Sequence, residues 1–249
     1  MIDLNDFWKD RISGKKVLIT GGTTGIGREI TILLARLGAH CFICGRNQAP
    51  LDETIAAVKI LTTANHCNGL VADLANEEDI KRIFVSVEKE LGGLDILVNN
   101  AALPFGGITE GTYADWDYLL RSNLLSYIAC SNYALNMGNL SHIVNIGSMS
   151  ADVRETGSSL YVASKSGIQG FSEALRKELN PKGIKVILIE PGATDTDMQE
   201  FTKEEKEEKI RNLEMLKAED VAISVAFALA QPERSDIVNL QIRPHLQLI

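Results

Sequence analysis

Val17-Leu18-Ile19-Thr20-Gly21-Gly22-Thr23-Thr24-Gly25-Ile26-Gly27 is a short aliphatic run that passes through a glycine-rich turn straight into a helical pattern, Ile26 to Leu37. Glycines there allow a tight turn and close approach of backbone to a phosphate, while the helix start offers unpaired N–H groups and a positive dipole end. A glycine-rich turn alone is weak evidence, since turns need glycine anyway. Its place after a first strand and before a helix gives it weight.

Outward from that turn the same rhythm continues. Strand candidates are Val17 to Thr20, Cys41 to Cys44, Gly69 to Ala72, Ile96 to Asn99, Ile143 to Ile146, Val186 to Glu190 and Ile237 to Gln241. Helical patterns fill the intervals: Ile26 to Leu37, Leu51 to Thr62, Glu77 to Leu91, Asp115 to Met137, Leu160 to Asn180 and Ala218 to Ala230. Alternating strands and helices predict βαβ units and a parallel sheet. Near-continuous apolar strands such as Ile143-Val144-Asn145-Ile146 fit burial on both faces. No linker or composition shift interrupts the series, so residues 1–249 read as one doubly wound α/β domain with a seven-stranded parallel sheet flanked by helices. Thr202 to Lys217 stands outside the alternation. Its run Lys203-Glu204-Glu205-Lys206-Glu207-Glu208-Lys209 is either a solvated helix or part of a substrate lid over about 194–217.

Composition narrows the function. With 45% hydrophobic and 23% charged residues the chain has material for a core, and a net charge of −8 with no basic cluster argues against nucleic acid as a partner. Met1 to Lys16 carries Asp3, Asp6, Lys9, Asp10 and Arg11, which is unlike a signal peptide, and no apolar run reaches membrane-spanning length. A cytoplasmic location without membrane contact is expected. Cys41, Cys44, Cys67 and Cys130 are too sparse for a disulfide framework. Cys41 and Cys44 spell a CxxC, but inside a strand residues three apart point to opposite faces, so both read as buried strand residues. No histidine pair or Cys/His cluster has zinc spacing, and no metal is expected.

The turn spells Thr-Gly-x-x-x-Gly-x-Gly and resembles the short-chain dehydrogenase/reductase family, whose fold is a Rossmann-type NAD(P)-binding domain. On that reading Gly21, Thr23, Thr24, Gly25, Ile26 and Gly27 would hold the pyrophosphate. The second strand ends at Cys44-Gly45-Arg46-Asn47, where an acid would serve the ribose of NAD(H). Arg46 can instead pair with the 2′-phosphate of NADP(H), because a guanidinium fork matches phosphate oxygens, so NADP(H) is favoured over NAD(H). Asp73, in Ala72-Asp73-Leu74, could cap a turn or accept from the adenine amino group; the resemblance implies the second use for Asp73 and Leu74. Asn99-Asn100-Ala101-Ala102 is close to the family's Asn-Asn-Ala-Gly, which implies cofactor contacts at Asn99 and Ala101. An Ala in the last position would carry a cost if that residue needs a positive φ. Pro191-Gly192-Ala193-Thr194-Asp195-Thr196 is similar to the segment at the nicotinamide end, implying Pro191, Gly192, Thr194 and Thr196.

Tyr161-Val162-Ala163-Ser164-Lys165 opens a helical pattern, so spacing of four puts Tyr161 and Lys165 on one helix face. A free phenol has a pKa near 10, and a lysine ammonium one turn away would favour the phenolate that a proton shuttle needs. Ser148 lies just past the fifth strand, where ligands bind in open α/β sheets; it is either a turn serine or a donor to a carbonyl oxygen. Asn123 falls mid-helix, where asparagine is disfavoured, and is either a chance exposed residue or the anchor of a water. Jointly Asn123, Ser148, Tyr161 and Lys165 match the family's Asn-Ser-Tyr-Lys tetrad in order and approximate spacing. The resemblance, from about Lys15 to Ala230, implies an NAD(P)(H)-dependent oxidoreductase that interconverts a secondary alcohol and a ketone or 3-oxoacyl group. Tyr161 would be the general acid and base, Lys165 would lower its pKa and hold the nicotinamide ribose, Ser148 would polarise the carbonyl, and Asn123 would anchor a relay water.

A small-molecule alcohol or carbonyl compound is the expected partner, and the family implies a homo-oligomer, tetramer or dimer. Leu103 to Gly107, Met149 to Ser159 and Thr194 to Leu216 should shape the substrate pocket. Arg154 could bind a substrate carboxylate or simply be solvated, and the tail Gln241 to Leu246 is apolar enough to pack on something such as a neighbouring subunit. A non-catalytic dinucleotide sensor has little reason to carry all four tetrad residues. An epimerase or dehydratase on the same fold resembles longer chains with another glycine spacing.

Overall fold

Strand β1 (Lys16–Thr20) pairs in parallel with β2 (His40–Gly45) on one side and β4 (Ile96–Asn99) on the other. Adding β3 (Cys67–Val71), β5 (His142–Ile146), β6 (Lys185–Pro191) and β7 (Asn239–Ile242) gives one seven-stranded sheet in the order β3-β2-β1-β4-β5-β6-β7, every pairing parallel. Chain order reverses between β1 and β4. In an open α/β sheet that reversal opens a crevice beyond the carboxyl ends of the strands. The computed structural model describes residues 8–62, 66–199 and 201–247; Asp3, Asp6 and Glu200, used in reading the sequence, lie outside them.

Alternation along the strands builds the core on both sheet faces. Val17, Ile19, Cys41 and Ile43 pack with Ile30 and Leu34 of α2 (Gly25–Arg36) and with Val221 and Val225 of α10 (Ala218–Leu229). Leu18, Phe42 and Cys44 face the other way, onto Ile83 and Val87 of α4 (Glu77–Leu91) and Leu175 of α8 (Ser159–Leu179). Cys41 and Cys44 therefore lie in different layers, and all four cysteines are free and buried. Burial on both faces is why these strands read as unbroken apolar runs.

Short-range chemistry sets the helix bounds. Asn76 caps α4 by accepting from the Glu78 N–H (2.9 Å), and Gly92 ends it at φ 66°. Helix α3 (Gln48–Thr62) starts ahead of Pro50, earlier than the expected Leu51, because proline is tolerated in a first turn. The stretch expected as one helix from Asp115 to Met137 is instead α5 (Tyr113–Leu120), a π-helical turn (Arg121–Leu125) and α6 (Ser126–Leu135). A wide turn of this kind re-aims side chains within a helix. Strand β3 begins earlier than expected and β7 later, because pairing partners rather than local hydrophobicity decide strand ends.

Three short α-helices, α1 (Lys9–Ile12), α7 (Ser150–Val153) and the charged α9 (Lys203–Arg211), and a 3-10 turn (Asn180–Lys182) complete the described chain. The C-terminal tail folds back on its own chain: Leu246 N–H donates to Leu213 O (2.9 Å) and Ala193 N–H to Gln247 Oε1 (3.1 Å). Among the described residues no helix is long and apolar enough to cross a membrane.

Candidate active site

A cleft of about 650 Å³ opens at the carboxyl ends of the strands, over the reversal of strand order. Its floor begins at the glycine turn. Gly21 has φ 63°, and a Cβ there would come within 2.8 Å of Ala101 Cα. Gly27 packs so closely on the Gly21 carbonyl that any side chain would collide with it. Thr20, buried at the end of β1, accepts through Oγ1 from Asn100 N–H (3.0 Å) and Ala101 N–H (3.3 Å). The Asn100 amide donates back to the carbonyls of Thr20 and Gly21, both at 3.0 Å. These bonds join the ends of β1 and β4 across 80 residues of sequence and keep the turn open beside the N-terminus of α2. Asn100 was not among the expected site residues; its duplicated neighbour Asn99 was. Ala102 does not adopt a positive φ, so alanine there carries no backbone penalty.

At one end of the cleft stand Arg46, past β2, and Asp73, past β3. Asp73 accepts from Tyr118 Oη through Oδ2 (2.9 Å) and from Ala75 N–H through Oδ1 (3.0 Å), so it closes a turn and is steered by a tyrosine from α5. The Arg46 guanidinium is exposed, 3.5 Å from the same Tyr118 hydroxyl, and forms no ion pair among the described residues. Tyr118 is a site residue that spacing did not reveal.

At the other end, Ser148, Tyr161 and Lys165 line the same cleft. Ser148 follows β5, and its Oγ accepts from Ser150 N–H (3.1 Å) at the start of α7. One turn of α8 separates Tyr161 from Lys165, whose Nζ lies 5.7 Å from the Tyr161 ring centre. Lys165 is 2% exposed and donates to the Ile146 carbonyl (2.9 Å), which also accepts from Tyr127 Oη (3.1 Å). Burial lowers the Lys165 pKa to about 7. Burial likewise pushes the Tyr161 phenol up to about 12, with a Ser148 hydrogen bond lowering it and the Glu155 charge raising it further. Loss of hydration dominates at Tyr161, and Lys165 is not among the groups that shift it.

Most expected residues meet at the cleft: Gly21, Thr23, Thr24, Gly25, Ile26, Leu74, Ala101, Pro191, Gly192, Thr194 and Thr196 join those above. Gly27, Asn99 and Asn123 do not line it. Gly27 is the packing surface beneath the turn. Asn99 is fully buried and donates to Asn145 Oδ1 (2.9 Å) and Ser131 Oγ (3.2 Å), because its strand position points it into the sheet layer. Asn123, in the π turn, accepts from Leu103 N–H (2.7 Å) and donates to Leu103 O (2.8 Å) and Ser164 Oγ (3.4 Å). Its amide is thus taken up by protein groups, where a water anchor was expected.

The expected pocket segments supply the rest of the wall. Arg154 does not line the cleft: it has φ 55° and its Nε donates to Ala151 O (3.2 Å), which favours the solvated reading over a carboxylate site. Glu155 faces the cleft instead, held by Ser150 Oγ (2.6 Å). Helix α9 buries no residue, yet Lys206 ties it to the cleft margin by donating to Thr196 O (2.7 Å) and pairing with Asp195 (3.5 Å). Among the described residues no group of three or more His, Cys, Asp or Glu side chains could hold a metal ion.

Residues 15–207 match the family model described as short chain dehydrogenase. An uncharacterized oxidoreductase from Staphylococcus saprophyticus is 30% identical over 98% of this chain and 100% of its own length. Among solved structures, a short chain dehydrogenase from Burkholderia cenocepacia in complex with NADP is 33% identical, with TM-score 0.84 over 94% of this chain and 98% of that one. An actinorhodin polyketide ketoreductase variant with NADPH is 28% identical, with TM-score 0.83 over 96% of this chain and 98% of that one.

Proposed function

The chain belongs to the short chain dehydrogenase family, and from that premise we propose that it is an NADP(H)-preferring oxidoreductase interconverting a secondary alcohol and a ketone, with Tyr161 as general acid and base. One observation carries the reading: Ser148, Tyr161 and Lys165 stand in the same cleft as the glycine turn, at the reversal of strand order. The turn fits a dinucleotide, because it combines a helix N-terminus with glycine positions where a Cβ has no room. The exposed guanidinium of Arg46 suits a 2′-phosphate, and Asp73, steered by Tyr118, suits the adenine amino group. A nicotinamide cofactor bound there would accept or supply the hydride, alcohol and NADP⁺ giving ketone, NADPH and one proton.

The protein's own residues would handle the substrate oxygen. Ser148 Oγ donates to it and holds it beside the phenol of Tyr161, which gives or takes the hydroxyl proton. Lys165, with a pKa near 7, exchanges its proton readily at neutral pH, and its charge would support the phenolate once the cleft is filled. Asn123 acts as a positioning residue, fixing Leu103 of the cleft wall to α8 through Ser164. One domain carries both sites, and the segment at 194–217 serves as the substrate margin, braced by Lys206 and the tail. The same reading includes a small-molecule substrate, a cytoplasmic location and a homo-oligomer, for which the exposed apolar Leu125 and Ile128 offer a surface.

Titration with NADPH and with NADH, followed by nicotinamide fluorescence, tests the cofactor part without knowledge of the substrate. Tighter binding of NADPH supports it. Equal affinity removes Arg46 from the argument, and binding of neither overturns the enzyme reading.

A further inference from the structure

The two ends of the cleft differ in charge. The cofactor end carries Arg46 beside Asp73, one charge of each sign, whereas the substrate end presents two acids, Glu155 and Asp197. Lys165 is buried with its ammonium on the Ile146 carbonyl, and Lys206, at the margin, is taken up by Thr196 O and Asp195. The same cleft is also lined by apolar side chains, Leu103, Pro104, Phe105, Met149, Val153 and Met198. We propose that Glu155 makes this end selective for ketones and alcohols that carry an ammonium group on an apolar body, and turns away those that carry a carboxylate.

The assignment deepens the hydride-transfer reading above and rests on it. Three observations carry it. Glu155 lines the cleft that holds Ser148 and Tyr161, and the Ser150 hydroxyl fixes its carboxylate at 2.6 Å, so it is aimed rather than free. Arg154, the adjacent residue that could have received a carboxylate, is turned away by its left-handed backbone and its bond to Ala151 O. Finally, the Glu155 charge is felt at Tyr161, where it opposes formation of the phenolate. A substrate ammonium paired with Glu155 would cancel that opposition, so the preference should appear in kcat as well as in KM. A carboxylate substrate would instead add a third negative charge to an end whose nearby cations, Lys165 and Lys206, are already engaged by protein groups.

The test uses methyl ketones in size-matched triplets that differ only in a terminal aminomethyl, ethyl or carboxylate group, with NADPH oxidation as readout. The wild-type protein should prefer the ammonium member over the neutral one by about fivefold, the upper range for an ion pair open to water, and the carboxylate member should be the poorest. Glu155→Gln should bring the ammonium-to-neutral ratio close to one, and Glu155→Lys should invert the order of ammonium and carboxylate. Turnover of the neutral members with a wild-type ratio near one, or a ratio that survives Glu155→Gln, overturns this inference alone. Turnover of no triplet overturns the hydride-transfer reading and this inference with it.

Discussion

Replacing Lys165 by methionine should stabilise the ligand-free protein near neutral pH while removing its turnover. Lys165 is 2% exposed, and burial brings its pKa from 10.5 down to about 7. At about 1.36 kcal/mol per tenfold change in acidity, that drop means the buried ammonium costs the fold on the order of 5 kcal/mol. The sign follows from proton counts. Between pH 7 and pH 10.5 the unfolded chain keeps the lysine proton and the folded chain releases it, so stability rises with pH across that window. Below pH 7 the penalty is fully present. Methionine fills a similar volume without charge, but it gives up the bond to Ile146 O, a loss of about 1.5–3 kcal/mol for a charged donor. Ile146 O keeps its bond from Tyr127, so no carbonyl is orphaned. The variant should therefore be more stable than wild type by on the order of 2 kcal/mol at pH 6. That advantage should shrink by about 2.7 kcal/mol between pH 6 and pH 9 and so vanish by pH 9. Groups common to both proteins, such as Tyr161 and the buried cysteines, cancel in the comparison. Urea unfolding at pH 6, 7.5 and 9, followed by tryptophan fluorescence, measures the difference. A variant less stable than wild type at pH 6, or a gap that does not change with pH, would refute the reasoning.

Three further substitutions probe other parts of the site. Tyr161→Phe removes only the ionisable hydroxyl and should lower kcat by about 10²- to 10⁴-fold with NADPH affinity intact; wild-type turnover would sink the assignment of Tyr161 as acid and base. Arg46→Asp should weaken NADPH binding on the order of 10- to 100-fold, as expected for lost charge-assisted hydrogen bonds, and improve NADH relative to NADPH. Identical discrimination before and after would show that Arg46 does not read the phosphate. Gly27→Ala forces a methyl against the Gly21 carbonyl and the Asn100 amide, so it should lower stability by about 1–3 kcal/mol and weaken NADPH binding. Thermal melts and a fluorescence titration report both, and a wild-type Tm would contradict the close packing of the turn.

Local rules carried much of the fold. The strand-turn-helix at 17–37, the alternation of strands and helices and the two-faced burial of residues such as Leu18 and Ile19 follow from side-chain periodicity, which the chain carries in its own order. The bounds of helix α4 match its helical pattern in the sequence, and the structure shows Asn76 and Gly92 closing its two ends. Where propensity was ambiguous the bounds moved, as at β3 and β7, whose ends depend on the neighbouring strand.

In the site, the division follows sequence distance. Tyr161 and Lys165 share a face because four residues make one helical turn, and Ser148 lies at the carboxyl end of β5 because the strand ends there; the sequence by itself determined both. Only the tertiary structure decided that Tyr118 steers Asp73 from 45 residues away, that Asn123 in a π turn spends its amide on Leu103, and that Asn100 rather than Asn99 braces the turn. It also decided that Glu155 faces the cleft while Arg154 does not, and that Lys165 loses its water. Contacts between elements and the hydration of a charge depend on how helices and loops pack over the sheet. Residue spacing along the chain does not encode them.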